Sequence, residues 1–185
     1  MMNLRERIKL VIRQAPRIVF LMISFWTFQQ ECDGIFMGCG LRIKPERNQD
    51  ELTGDLLNAL ATFIHTHIIT TFRKINITRE EYLLLKAVAL FEVLDEYFPP
   101  ADRLIMDTAL NKYRSALVDC MKRSHPELEH ETLLERLQTL LGTLTYLEVL
   151  RDFDNRFMAD VVIRNNGDMR GRLTIEILVD SNRMD

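Results

Sequence analysis

Cys32, Cys39, His65 and His67 are the residue types that could gather a soft metal ion, and Asp152 with Asp154 is the nearest approach to a general acid–base pair. Neither set has the spacing its chemistry needs. A structural zinc site is built from close pairs such as CxxC, and the three cysteines stand at 32, 39 and 120 without one. Histidines two apart on a helix point in divergent directions, and so do aspartates two apart. Both acids are therefore expected on a solvated helix face. The chain has no GxSxG elbow, no phosphate-cradling glycine loop and no HExxH. Gly34, Gly38 and Gly40 are spaced for a turn. The expectation is no catalytic residue, no metal and no cofactor, with a small helical enzyme kept as the outlying alternative.

Composition narrows the classes further. The chain has 185 residues, 47% of them apolar, which suits a single domain (1–185) with one sizeable core. A net charge of -3 supplies no excess of Lys and Arg for a phosphate backbone, so direct nucleic-acid contact is not expected. An odd cysteine count argues against a disulfide framework and fits a reducing compartment, the nucleus or cytosol. The longest apolar run, Ile18 to Phe28, falls well short of the roughly 20 residues a bilayer-spanning helix needs. The charged start followed by apolar residues mimics a signal peptide, but Arg13, Pro16 and Arg17 interrupt it and no small-residue cleavage site follows.

Seven glycines and five prolines punctuate the chain sparsely, which favours long helices. Leu4 to Gln30 reads as helix, with a break or kink near Pro16 because proline removes a donor there. Asp33 to Ile43 alternates apolar residues with glycine, as a small hairpin does. From Asp50 to Lys74, Leu52, Leu56, Leu60, Phe63, Ile64, Ile68 and Phe72 fall three or four apart, one face of an amphipathic helix. Thr78 and Glu81 form a capping box, and the run Tyr82 to Leu94 is apolar nearly all round, which predicts a central helix. Pro99 and Pro100 open a helix to about Arg123, and His130 to about Ile163 is the last long one. On it Leu133, Leu137, Leu140, Leu144 and Leu147 make a coiled-coil-like seam. That seam either packs inside the domain or makes a dimer contact.

Four stretches carry a resemblance. Glu6-Arg7-Ile8-Lys9-Leu10-Val11 resembles a drifted form of the signature that opens a buried helix in nuclear hormone receptor ligand-binding domains. Asp33-Gly34-Ile35-Phe36-Met37-Gly38-Cys39-Gly40-Leu41 is similar to the hairpin that follows that helix in the family, and Ile77 to Phe91 resembles its eighth helix, particularly in divergent, nematode-type receptors. Leu173-Thr174-Ile175-Glu176-Ile177-Leu178 resembles the family's activation helix, with Thr174 departing from the apolar pattern. The resemblance covers roughly Leu4 to Val179. It implies an all-α, layered helical sandwich with one small β-hairpin, N-terminally incomplete and without the paired zinc modules of the DNA-binding domain. The tail 164–185 would hold the activation helix at 173–179.

What the resemblance implies for function is regulation of transcription through bound coregulators, and no enzyme activity. Glu176 would cap the amides at the start of a short LxxLL helix, with Ile8 and Val11 on the groove floor and Leu173, Ile177 and Leu178 holding the lid. Phe20, Ile23 and Trp26 share a helix face and, with Phe36, would line a ligand pocket, although core packing is the better account of that spacing. Trp26 stands where several receptors carry an arginine for an acidic ligand. The rings would fill the pocket or hold a small apolar ligand. Homo- or heterodimerisation through the leucine seam is implied as well. Val161, Val162 and the β-branched tail leave open a strand or a disordered end instead, and a helical adaptor that dimerises without ligand switching is the alternative function.

Overall fold

The computed structural model describes residues 2–44, 51–93 and 97–163, with side chains described for all of these except 51–56 and 159–163. The first helix, α1, spans Leu4–Gln30. Asn3 starts it by accepting from the Glu6 amide at 2.9 Å, and Glu31 ends it in the left-handed region with φ 48. Of the break or kink expected near Pro16, the break is absent: the helix continues through the proline. Buried residues on both sides of the proline, Leu10 and Gln14 before it and Arg17, Phe20 and Leu21 after it, pack both halves against the helices at Arg79–Phe91 and His130–Ile163. A lost hydrogen bond is outweighed by burial along the whole length.

The hairpin follows as expected. Strands β1 (Ile35–Phe36) and β2 (Arg42–Ile43) pair antiparallel, with Ile35 opposite Ile43 and Phe36 opposite Arg42. Gly40 takes φ 85 in the turn, where a side chain would be strained. The hairpin lies on α1: the Phe36 amide donates to Thr27 Oγ1 at 2.9 Å, and His65 holds the Gly34 carbonyl at 2.8 Å.

The second helical stretch is one element in the sequence and three in space: α2 (Glu51–Phe63), a π-helical segment (Ile64–Ile69) and α3 (Thr70–Ile75). Hydrogen bonds running i→i+5 bring residues four and five apart onto one face. Ile64, Ile68 and Ile69 are thereby all fully buried. The hydroxyls of Thr70 and Thr71 donate to the carbonyls of His65 and His67, at 2.8 and 2.7 Å.

Helix α4 (Arg79–Phe91) begins with the predicted capping box: Thr78 Oγ1 accepts from the Glu81 amide at 3.2 Å, and Glu81 Oε2 accepts from the Thr78 amide at 2.9 Å. It packs between α1 and α5 (Pro100–Ser124) and is central as expected. It is not buried all round, because Leu83 faces solvent. Helix α6 (His130–Ile163) crosses α1, α3 and the π segment and closes the core. That core joins Phe20, Leu21, Ile23 and Phe25 of α1 to the isoleucines of the π segment, to Leu85 and Val88 of α4, and to Leu140, Leu144 and Leu147 of α6.

Candidate coregulator groove and ligand-site residues

The face of α1 that does not enter the core is the candidate groove floor. Leu4, Ile8 and Val11 fall four and three residues apart, so they stand one above another on the helix. They are 65%, 51% and 59% exposed, while the opposite side of the same turns buries Leu10 and Gln14. Ala15 and Val19 continue the exposed row. Arg7 beside it is exposed too. Such a row has the shape and chemistry to receive the apolar side of a short helix. The lid residues expected to complete it, Leu173, Glu176, Ile177 and Leu178, lie outside the described residues.

The residues expected to line a ligand pocket sit in two places, the core and the hairpin. Phe20 and Ile23 are buried within the continuous core cluster. Trp26 is half-buried beneath the hairpin, and a Cβ added at Gly38 would overlap its ring. Gly38 is needed so that the hairpin can sit on the indole. Phe36 is half-buried, with the Arg42 guanidinium 5.9 Å from its ring centroid. Next to these, Phe25 stacks on Tyr82 at 3.8 Å between centroids and meets Phe28 and Phe72 at 6.1 and 6.5 Å. Burial raises the Tyr82 hydroxyl above its ordinary pKa.

The leucine seam divides. Leu140, Leu144 and Leu147 are buried in the core of the single chain, so these three are not available as a dimer surface. They point inward because α6 lies across α1 and the π segment. Leu133 and Leu137 are only partly buried, and Leu134 beside them is exposed. Asp152 is exposed and pairs with Arg151 at 2.8 Å, whereas Asp154 is half-buried, which raises its carboxyl above the usual range. The solvated reading of the two acids holds for Asp152 alone. His65 and His67 diverge as expected: the first reaches the hairpin, the second stacks on Tyr146 at 4.8 Å. Among the described residues no three His, Cys, Asp or Glu side chains gather as a metal site.

Two ionic joints built on a buried charge were not foreseen. Arg17 is 1% exposed; its NH2 lies 3.0 Å from Glu92 Oε2 and its Nε 2.9 Å from Glu148 Oε1, and NH1 donates to the Ala89 and Glu92 carbonyls. Glu81 is fully buried and takes Arg136 in a two-pronged contact, Nε at 2.8 Å and NH2 at 2.7 Å, with His125 Nε2 3.6 Å away. Burial pushes the Glu81 carboxyl up, but the bonds from Arg136 and the Thr78 amide, with the charges of Arg136 and His125, more than offset it and leave the pKa lowered. The only trace of the first joint in the sequence is an arginine that interrupts the apolar stretch of α1. Its two glutamate partners lie 75 residues away and farther.

No curated protein matches the chain in a sequence search. The sequence pattern of one family, the ligand-binding domain of nuclear hormone receptor, matches residues 15–152, well over half of the chain. Its helical layers and the small hairpin are those observed. The family is one of transcription regulation and is typically non-enzymatic, and no described helix is long and apolar enough to cross a membrane. With that match and this architecture, the chain belongs to the ligand-binding domain family of the nuclear hormone receptors.

Proposed function

We propose that this domain regulates transcription in the nucleus by docking LxxLL-type coregulator helices on the exposed face of α1, with Glu176 as the clamp at the N-terminal end of the bound helix. The observation that carries the reading is the row Leu4, Ile8 and Val11, three apolar side chains left in solvent on one side of a helix whose other side enters the core. A short amphipathic helix would bury that row and place its positive end against the Glu176 carboxylate. Leu173, Ile177 and Leu178 would fasten the segment that carries Glu176.

The ligand reading that fits best is a filled pocket: Phe20 and Ile23 are spent on core packing and Trp26 on the hairpin. A small apolar ligand is the other version. A homo- or heterodimer would use the half-open end of the seam, Leu133, Leu134 and Leu137, since Leu140, Leu144 and Leu147 are committed within the chain. That commitment weighs against an adaptor acting through the whole seam.

Fluorescence anisotropy with a labelled LxxLL peptide tests the reading. The wild-type chain binds, and Glu176→Ala weakens binding about tenfold, the worth of one charge at a helix end in a favourable site. An unbound peptide, or a Glu176→Ala chain that binds as well as wild type, overturns it.

A further inference from the structure

The apolar row on α1 has a rim, and the rim is charged. Leu4, Ile8 and Val11 share one face, and successive residues of an α-helix step round its axis by roughly 100°. Arg5 follows Leu4 and Arg7 precedes Ile8, so the two guanidiniums stand on opposite sides of the row. Both residues are exposed, and among the described residues neither side chain has a hydrogen bond or an ion pair. The other cations of these turns are already engaged: Lys9 donates to the Tyr97 carbonyl at 2.6 Å, and the Arg13 guanidinium lies 3.3 Å from the centroid of the Tyr97 ring.

No acid of α1 offsets the pair. Glu6 is the one carboxylate between Asn3 and Val19, and it stands four residues before the buried Leu10, on the inner side of the helix, with its Oε2 buried. The positive pole of α1 lies at the same end, at the Asn3 cap. The first half of the row is thus an apolar strip between two unpaired cations.

We propose, resting on the coregulator reading of this row, that its partners are amphipathic helices with acidic residues on both sides of their leucines. The leucines bury Leu4, Ile8 and Val11, and the flanking Asp or Glu side chains reach Arg5 and Arg7. An apolar row alone accepts any amphipathic helix of suitable spacing. Like charge opposite Arg5 and Arg7 penalises helices with basic flanks, so the two arginines select among partners.

Fluorescence anisotropy with two labelled peptides tests this, both with the same LxxLL core, one with glutamates and the other with lysines at the positions flanking the leucines. The full chain binds the glutamate peptide about fivefold more tightly at low ionic strength, the worth of two exposed ion pairs. The ratio falls toward one in about 1 M salt, where such pairs are screened. Arg5→Glu with Arg7→Glu inverts the preference, and Arg5→Gln with Arg7→Gln removes it. Both double variants change exposed side chains and melt within a few degrees of wild type. Equal affinity of the wild-type chain for the two peptides, a preference that the charge-reversed variant keeps, or a ratio that salt leaves unchanged each overturns the proposal and leaves the coregulator reading standing. If neither peptide binds, both are overturned.

Discussion

Replacing Glu81 with alanine should be among the most damaging single changes at a polar residue of this chain. The carboxylate is fully buried and accepts from Arg136 Nε, Arg136 NH2 and the Thr78 amide, at 2.8, 2.7 and 2.9 Å. Removing one partner of a buried pair costs about 3–5 kcal/mol, because the remaining charge is left uncompensated. Arg136 keeps its bonds to the Ile75 and Asn76 carbonyls and reaches slight solvent, which favours the lower end of that range. The lost arm of the capping box adds about 1 kcal/mol. The total of roughly 4 kcal/mol corresponds, for a domain of this size, to a fall in Tm of about 8–16 °C. Urea unfolding followed by circular dichroism measures it, with an unchanged m value as the sign that only stability moved. Glu80→Ala, one residue away and exposed, is the internal control and should change stability by no more than about 0.5 kcal/mol. If Glu81→Ala lies within 1 kcal/mol of that control, in units of the same fit, the reasoning about this joint is refuted.

The same joint sets an acid limit. Glu81 has its folded pKa lowered from 4.5, so its stabilisation is fully present above that value and is lost as pH falls through the folded one. Wild type should lose stability below about pH 4.5 more steeply than Glu81→Gln, measured by urea midpoints across pH 3–6. Gly38→Ala forces the ring of Trp26, the single tryptophan, away from the hairpin. Its fluorescence should shift to longer wavelength, with a loss of about 1–3 kcal/mol from overpacking. Leu140→Arg should unfold the chain, not merely dissociate a dimer, since it buries an unpaired charge in the core, whereas Leu134→Glu should leave Tm within a few degrees. Analytical ultracentrifugation of Leu134→Glu reads whether the open end of the seam holds a partner.

The parts of the fold that rest on local chemistry were legible. Sparse glycine and proline marked long helices, Thr78 and Glu81 marked the start of α4, and the glycines around Ile35 marked the hairpin. What depended on distant partners was not. Pro16 signals a break or a kink by local rules, and the helix runs through it unbroken with buried residues on both sides. The 4-3-4-3 spacing of leucines is the same for an inward seam and for an outward one, and the crossing of α6 over α1 decides between them. The π segment appears only once three isoleucines must share a face. Arg17 and Arg136 look like surface charges until glutamates far along the chain come to meet them. Of the candidate site, Ile8 and Val11 are exposed on α1, and Phe20 and Ile23 are buried in the core cluster, where the spacing alone allowed either core packing or a pocket wall.

The central claim is that the α1 row is the docking surface for coregulator helices. Anisotropy of a labelled LxxLL peptide with the Ile8→Glu, Val11→Glu double variant tests it most directly. Both side chains are more than half exposed, so the double variant should melt within a few degrees of wild type. The account predicts that it no longer binds the peptide while the wild-type chain does; a double variant that folds and still binds with wild-type affinity contradicts it.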